Sequence, residues 1–128
     1  IWYHDNSILY HPKTAELIER GQQITDQALQ EARQGQKTLR DALDAAMDEH
    51  GIDLWLSPSA VGPAPKGLES TGDPVMNLPW THAGVPTITL PGGASKNGLP
   101  MGLQLAARWY GDEDLLAWAP QLEQALKY

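Results

Sequence analysis

From Pro12 to Gln34 the apolar positions Leu17, Ile24, Ala28 and Ala32 follow steps of seven, four and four, and Gly21 falls on the same face. That spacing lines one side of a helix, and Pro12 suits its first turn because the N–H that proline lacks would have no partner there. Gly35 is expected to interrupt it. Thr38 with Asp41 three residues on resembles a capping box ahead of a second stripe, Leu39, Leu43, Ala46 or Met47, and His50, which Gly51 should end. The pattern therefore predicts two helices over residues 12–50.

Beyond Gly51 the period changes. Ile52 to Ser57, IDLWLS, is an apolar run too short for a helix and closed by Pro58, as expected of a strand buried on both faces. Thr87 to Leu90 alternates threonine with aliphatic residues. Met101, Leu103, Leu105 and Ala107 then alternate with Gly102, Gln104, Ala106 and Arg108, which predicts two more strands. The intervening PGGASKNGLP holds the Asn97-Gly98 pair and should form a tight-turn loop. Gly111-Asp112 offers a helix start, and Leu115, Leu116, Ala119, Leu122 and Leu126 recur at helical spacing, so a third helix is expected to close the chain. Pro120 falls inside it and removes one backbone hydrogen bond.

Between the first two strands, Ser57 to Pro86 is a 30-residue stretch with six prolines and four glycines. Little regular structure is expected there. Leu68, Val75, Met76, Leu78 and Trp80 are too apolar for a solvated linker, so the stretch should pack as a functional wall. Residues 51–128 thus read as strands, a long loop and a last helix, and with the helices of 12–50 the whole of 1–128 reads as a single segment.

Composition narrows the classes. At 128 residues, 41% hydrophobic and 20% charged, the chain has the make-up of a folded domain or a piece of one. A net charge of −7 leaves no positive surplus for phosphates and argues against nucleic acid or an anionic membrane as partner. No cysteine is present, which removes thiolate nucleophiles, disulfides and zinc-thiolate sites. Every apolar run stops well short of the roughly 20 residues a membrane span needs, and the N-terminus lacks a signal-peptide core, so a cytoplasmic protein is expected. The chain opens on Ile1 and runs at once into Trp2 and Tyr3, large residues that usually sit inside a structure, so a piece of a longer protein is expected.

Taken one by one, the reactive residues assemble no active site. Ser95-Lys96 is the one adjacent serine–lysine pair, and neighbours in a turn diverge. His4 and His11 would stack two turns apart on a helix, but Pro12 and the turn-like Asp5-Asn6-Ser7 argue against a helix there and so against a metal pair. Asp112, Glu113 and Asp114 at a helix start are favourable charges for its positive end. His82 stays open between a general base and a packed or hydrogen-bonded loop histidine. No metal or other cofactor is implied.

Three segments in order, DLWLSPSAVGPAP, GDPVMNLPWTHAGVPTITLPGG and NGLPMGLQLAARWYGDEDLLAWAPQLEQAL, resemble the C-terminal end of an amidase signature family enzyme over about residues 50–126. The AGVPTITLP and NGLPMGLQL runs are specific together. The resemblance implies an α/β fold in which this chain supplies a mixed-sheet segment of about three strands flanked by about three helices. It also implies cleavage of the C–N bond of carboxamides by a serine nucleophile. The family's Ser, cis-Ser and Lys triad lies upstream of the matching segment, so no catalytic residue is carried over. PGGAS at Pro91 to Ser95 has a likeness to the signature but stands at the wrong place in the order.

In the family the loop before the AGVP-type segment approaches the pocket. This implies Asp73, Asn77, Trp80, Thr81 and His82 as candidate substrate contacts, with Met76 beside them as wall or core brace. Two alternatives stand beside the amidase reading: an amidotransferase subunit releasing ammonia from glutamine or asparagine, and a non-catalytic binding or assembly module. Three strands leave edges unpaired, and five tryptophans need more cover than so few elements give. The expected partners are the remainder of the amidase chain carrying the triad, a small-molecule amide and a second copy in a homo-oligomer, with no nucleic acid and no membrane. By itself the chain is expected to be inactive.

Overall fold

The computed structural model describes residues 2–126 and divides into two compact units, one up to Gly35 and one from Gln36. Ile1, Lys127 and Tyr128 lie outside the described residues.

The first unit contains α1 (Trp2–Asn6), a 3-10 turn (Ser7–Leu9), α2 (Pro12–Gln22) and the start of α3 (Asp26–His50). Trp2–Asn6 is helical where the polar residues predicted a turn, and Trp2 is 79% exposed where its size predicted burial. The Asn6 amide folds back on the Trp2 carbonyl, a local bond that lets a turn-forming residue serve the helix. His4 Nδ1 meets Asp5, and His11 Nδ1 accepts from the Lys13 amide to cap α2, so each histidine serves its own segment. Tyr3 packs edge-on against Tyr10 and donates to Glu19 at 2.5 Å. That bond raises the Tyr3 phenol above its ordinary value. Its contribution is therefore complete below the unfolded pKa of about 10 and is lost as pH rises through the higher folded one.

The helix boundary falls elsewhere than the glycine suggested. The break lies at Gln23 to Thr25, where the Thr25 hydroxyl accepts from the Ala28 amide and caps α3. Gly35 and the supposed capping box at Thr38 and Asp41 ride inside α3, with Lys37 and Asp41 paired at 2.5 Å one turn apart. A 25-residue helix carries one glycine at a cost of only about 1 kcal/mol, so a real cap elsewhere outweighs it.

The second unit holds the sheet. β1 (Trp55–Pro58), β2 (Thr87–Ala94) and β3 (Pro100–Ala106) form an antiparallel sheet in the order β1-β3-β2. Leu105 faces Leu56 on one side and Ile88 on the other, while Gln104 faces Ser57 and Thr89. Directly opposed residues share a face, so alternation along β3 gives the sheet one apolar and one polar side. The apolar side packs under α5 (Asp112–Ala125), where Leu90, Leu105, Ala107, Leu115 and Ala119 form the core. Two residues, Gly92 and Gly93, oppose Met101 between the Pro91–Gly102 and Ala94–Pro100 pairs, and Gly93 takes φ 99° in this bulge. PGGAS is thus a strand end. In the turn that follows, the Ser95 hydroxyl accepts from the Leu99 amide.

Two strand expectations change. β1 lies at the sheet's edge, and Leu56 is 62% exposed rather than buried on both faces, because α5 packs mainly along β2 and leaves an open groove between itself and β1. The long stretch also contains more order than its prolines suggested: a 3-10 turn (Pro74–Met76) leads into α4 (Leu78–Ala83), so five α-helices are described where three were expected. Residues 63–75 stand in solvent and Leu68 is fully exposed, whereas Met76, Asn77, Trp80 and Ala83 pack. The stretch packs at its start, through Ser57 and Ser59, and again over its second half.

Pro120 interrupts the backbone bonds of α5 with the helix continuous from Asp112 to Ala125. Pro120→Ala restores the missing N–H toward the Leu116 carbonyl. The exchange should raise the melting temperature, and a fall would mean the proline shapes a bend that the fold uses.

Candidate active-site wall

The sheet's polar side meets the candidate segment at Asn77. Gln104, only 4% exposed, sits mid-strand on β3. A buried amide needs its donors and acceptor matched. Its Oε1 accepts from the Ser57 hydroxyl at 3.4 Å, and its Nε2 donates to Asn77 Oδ1 at 2.8 Å. Asn77 Nδ2 in turn donates to the Ser59 carbonyl at 3.2 Å. The run of donors points one way, and reversing either amide would set two acceptors face to face. Ser59 is also held by its own amide, which donates to the Gly102 carbonyl at 3.1 Å. There is no room for a side chain at Gly102, because a Cβ would collide with the Ser59 hydroxyl and the Thr89 methyl.

Asn77 begins α4. Pro79 lies in its first turn, and Gly84 ends it in the left-handed region at φ 70° with its amide on the Trp80 carbonyl at 2.9 Å. From α3, Arg40 Nε donates to the Ala83 carbonyl at 2.8 Å while its guanidinium lies 3.9 Å over the Trp109 ring. A second tie, Arg108 to Asp48 at 2.7 Å, joins the same helix to the residues after β3.

The five candidate residues fall into separate positions. Asp73 caps the 3-10 turn, Oδ1 accepting from the Val75 amide at 2.9 Å. Asn77 joins the buried network, Trp80 is half-buried, and Thr81 and His82 are exposed on α4. The structure therefore brings Asn77 to Ser59 and Gln104, and gathers Trp80, Thr81 and His82 on one short helix. Sequence reasoning missed Gln104 and Arg40. Gln104 was visible as the one uncharged polar side chain in the β3 alternation, whereas Arg40 looked like any solvated helix position. A cavity of about 220 Å³ lies beside this region, lined by residues of 59–65, Thr71 to Asp73 and Pro100 to Gly102. Among the described residues no group of three histidine, aspartate or glutamate side chains comes together as a metal site, and no helix is long and apolar enough to cross a membrane.

Among the described residues, Nε1 of Trp55, Nε1 of Trp80 and Oδ1 of Asp44 are buried without a hydrogen-bond partner. Such groups cost roughly 1 to 3 kcal/mol each. An apolar groove of about 490 Å³, lined by Ile52, Leu54, Leu56, Trp118 and Leu122 together with Asp53 and Gln121, also stands open beside β1.

An α/β unit with this antiparallel sheet and flanking helices matches known enzymes that act on amides. The chain belongs to the amidase (amidase signature) family, which it matches over residues 9–116. It is 40% identical over 84 residues to a glutamyl-tRNA(Gln) amidotransferase subunit of Trichlorobacter lovleyi, covering 60% of this chain and 17% of that one. It is 35% identical over 107 residues to the subunit of the same name from a Synechococcus species, covering 78% of this chain and 21% of that one. The chain thus spans about a fifth of the length of these curated relatives. Among solved structures, the crystal structure of an amidase superposes with a TM-score of 0.83 at 28% identity over 97% of this chain and 31% of that one. A 6-aminohexanoate cyclic dimer hydrolase superposes at 0.66 with 27% identity, over 88% of this chain and 27% of that one.

Proposed function

We propose that this chain is the C-terminal part of an amidase that hydrolyses the C–N bond of carboxamides, with the serine nucleophile and its lysine on the remainder of the protein. The observation that carries the reading is the superposition of nearly the whole chain on an amidase of which it makes up less than a third. The open groove beside β1 supports a remainder that covers it. In this reading the single-segment organisation of residues 1–128 is retained, and a cytoplasmic, homo-oligomeric enzyme is inferred. The purified 128-residue chain should release no ammonia from simple carboxamides, and the longer enzyme should. Release by the short chain that survives Ser95→Ala would overturn this.

Within that enzyme Trp80 and His82 shape the acyl or leaving-group pocket, with Asn77 and Thr81 beside them. Asp73 is the polar contact to substrate, because one of its oxygens caps the turn and the other remains to accept from an N–H. Removing an apolar wall changes discrimination between substrates by about 1 to 3 kcal/mol, whereas removing a general base lowers turnover of all of them by about a hundredfold or more. Trp80→Ala should therefore reorder preference between a small and a bulky amide. His82→Ala should keep turnover within a few-fold, and its loss with the fold intact would make His82 catalytic.

A second reading, an amidotransferase component that draws ammonia from glutamine, is favoured by the relatives in Trichlorobacter and Synechococcus. Comparing ammonia release from glutamine with that from unrelated carboxamides separates the two. A strict preference for glutamine selects the second.

A further inference from the structure

We propose that Gln104 and Arg40 are positioning residues that hold α4 from its two ends and so determine where Trp80 stands. The inference rests on the reading of Trp80 as a pocket wall. α4 has six residues, far fewer than a helix needs to persist alone, so its place is set by what grips it. At the N-terminal end the grip is the Asn77 amide, held by Gln104 from the central strand and closed onto the Ser59 carbonyl. Gln104 is buried, and because the Ser59 carbonyl can only accept, Asn77 turns its Oδ1 toward Gln104 and fixes Nε2 as the end of the Gln104 amide that faces it. At the C-terminal end the grip is Arg40, reaching from the long helix α3 to the last carbonyl of α4 while stacked on Trp109. A cation at that end also suits the negative pole of the helix. Trp80 lies between the two grips, with its carbonyl accepting from the Gly84 and Val85 amides. Neither Gln104 nor Arg40 needs to touch substrate to act.

The test uses the full-length enzyme with Gln104→Met, Arg40→Met and Trp80→Ala, alone and combined. Propionamide and phenylacetamide are the substrates. Each positioning variant should move the ratio of kcat/KM for the two amides by about tenfold. Because both act through Trp80, combining either with Trp80→Ala should give the ratio of Trp80→Ala alone. Arg40→Lys, which still offers a charged donor to the Ala83 carbonyl, should restore part of the shift, and Gln104→Glu, similar in volume but without the amide donors, should not. Hydrogen exchange should speed at the amides of Thr81, Gly84 and Val85 while β2 and β3 stay protected.

Ratio shifts that add to that of Trp80→Ala would overturn the inference, as would an equal loss of turnover on both amides with a lower melting temperature. If Trp80→Ala itself leaves the ratio unchanged, the pocket reading has failed. Hydrogen exchange then decides the positioning alone: selective loosening of α4 supports it, and unchanged protection overturns it. Should the methionine variants fail to fold, the lysine and glutamate variants carry the same comparison.

Discussion

Leu105→Ala should destabilise the sheet unit more than any other single truncation in its core, by about 2 to 5 kcal/mol. Leu105 has no exposed surface, lies on the central strand between Leu56 and Ile88, and belongs to the core under α5 with Leu90, Leu115 and Ala119. The neighbours sit on two other strands and a helix, so they cannot collapse together into the space, and the lost contacts add to the lost burial. Small domains are stable by only about 5 to 15 kcal/mol, so the change takes a large share of the total. Urea denaturation followed by circular dichroism measures it. A loss below about 1 kcal/mol would mean that the core lies elsewhere.

Gly102→Ala should cost about 1 to 3 kcal/mol or more, although it adds only a methyl group. The new carbon would overlap the Ser59 hydroxyl and come within 2.5 Å of the Thr89 methyl and 3.2 Å of Ser59 Cβ. To relieve this the Ser59 and Thr89 side chains must turn away, and any shift of Ser59 itself strains the bond from its amide to the Gly102 carbonyl and the bond from Asn77 to its own carbonyl. The substitution should therefore damage the α4 anchorage as well as the sheet. Ser59→Gly in the same chain removes the nearest atoms and should recover part of the loss. An unchanged melting temperature in Gly102→Ala alone would contradict the close approach.

Local chemistry explains which elements could be read in advance. The period of two from Met101 to Ala107 yields β3 because alternation on a pleated strand separates Leu105 from Gln104 whatever surrounds them. The turn chemistry of Asn97-Gly98 and the helical stripe of Leu115, Ala119 and Leu122 work in the same way. By contrast, α4 is hidden in the sequence because Asn77, Pro79 and Gly84 serve equally as loop punctuation and as the start and stop of a helix too short to show a period. The pattern misplaces the break between α2 and α3 because Gly35 is the more conspicuous signal and Thr25 the effective one.

What the sequence by itself determined is the strand pattern, the last helix and the family resemblance. Each depends on residues close in the chain or on the order of motifs. Only the tertiary structure decided that Gln104 meets Asn77 across 27 positions, that Arg40 reaches Ala83 across 43, and that Gly102 has no room for a side chain. Those facts arise where distant segments close on one another. No periodicity marks a polar residue for a partner that far away, because the hydrogen bond exists only once the sheet, α3 and α4 have packed.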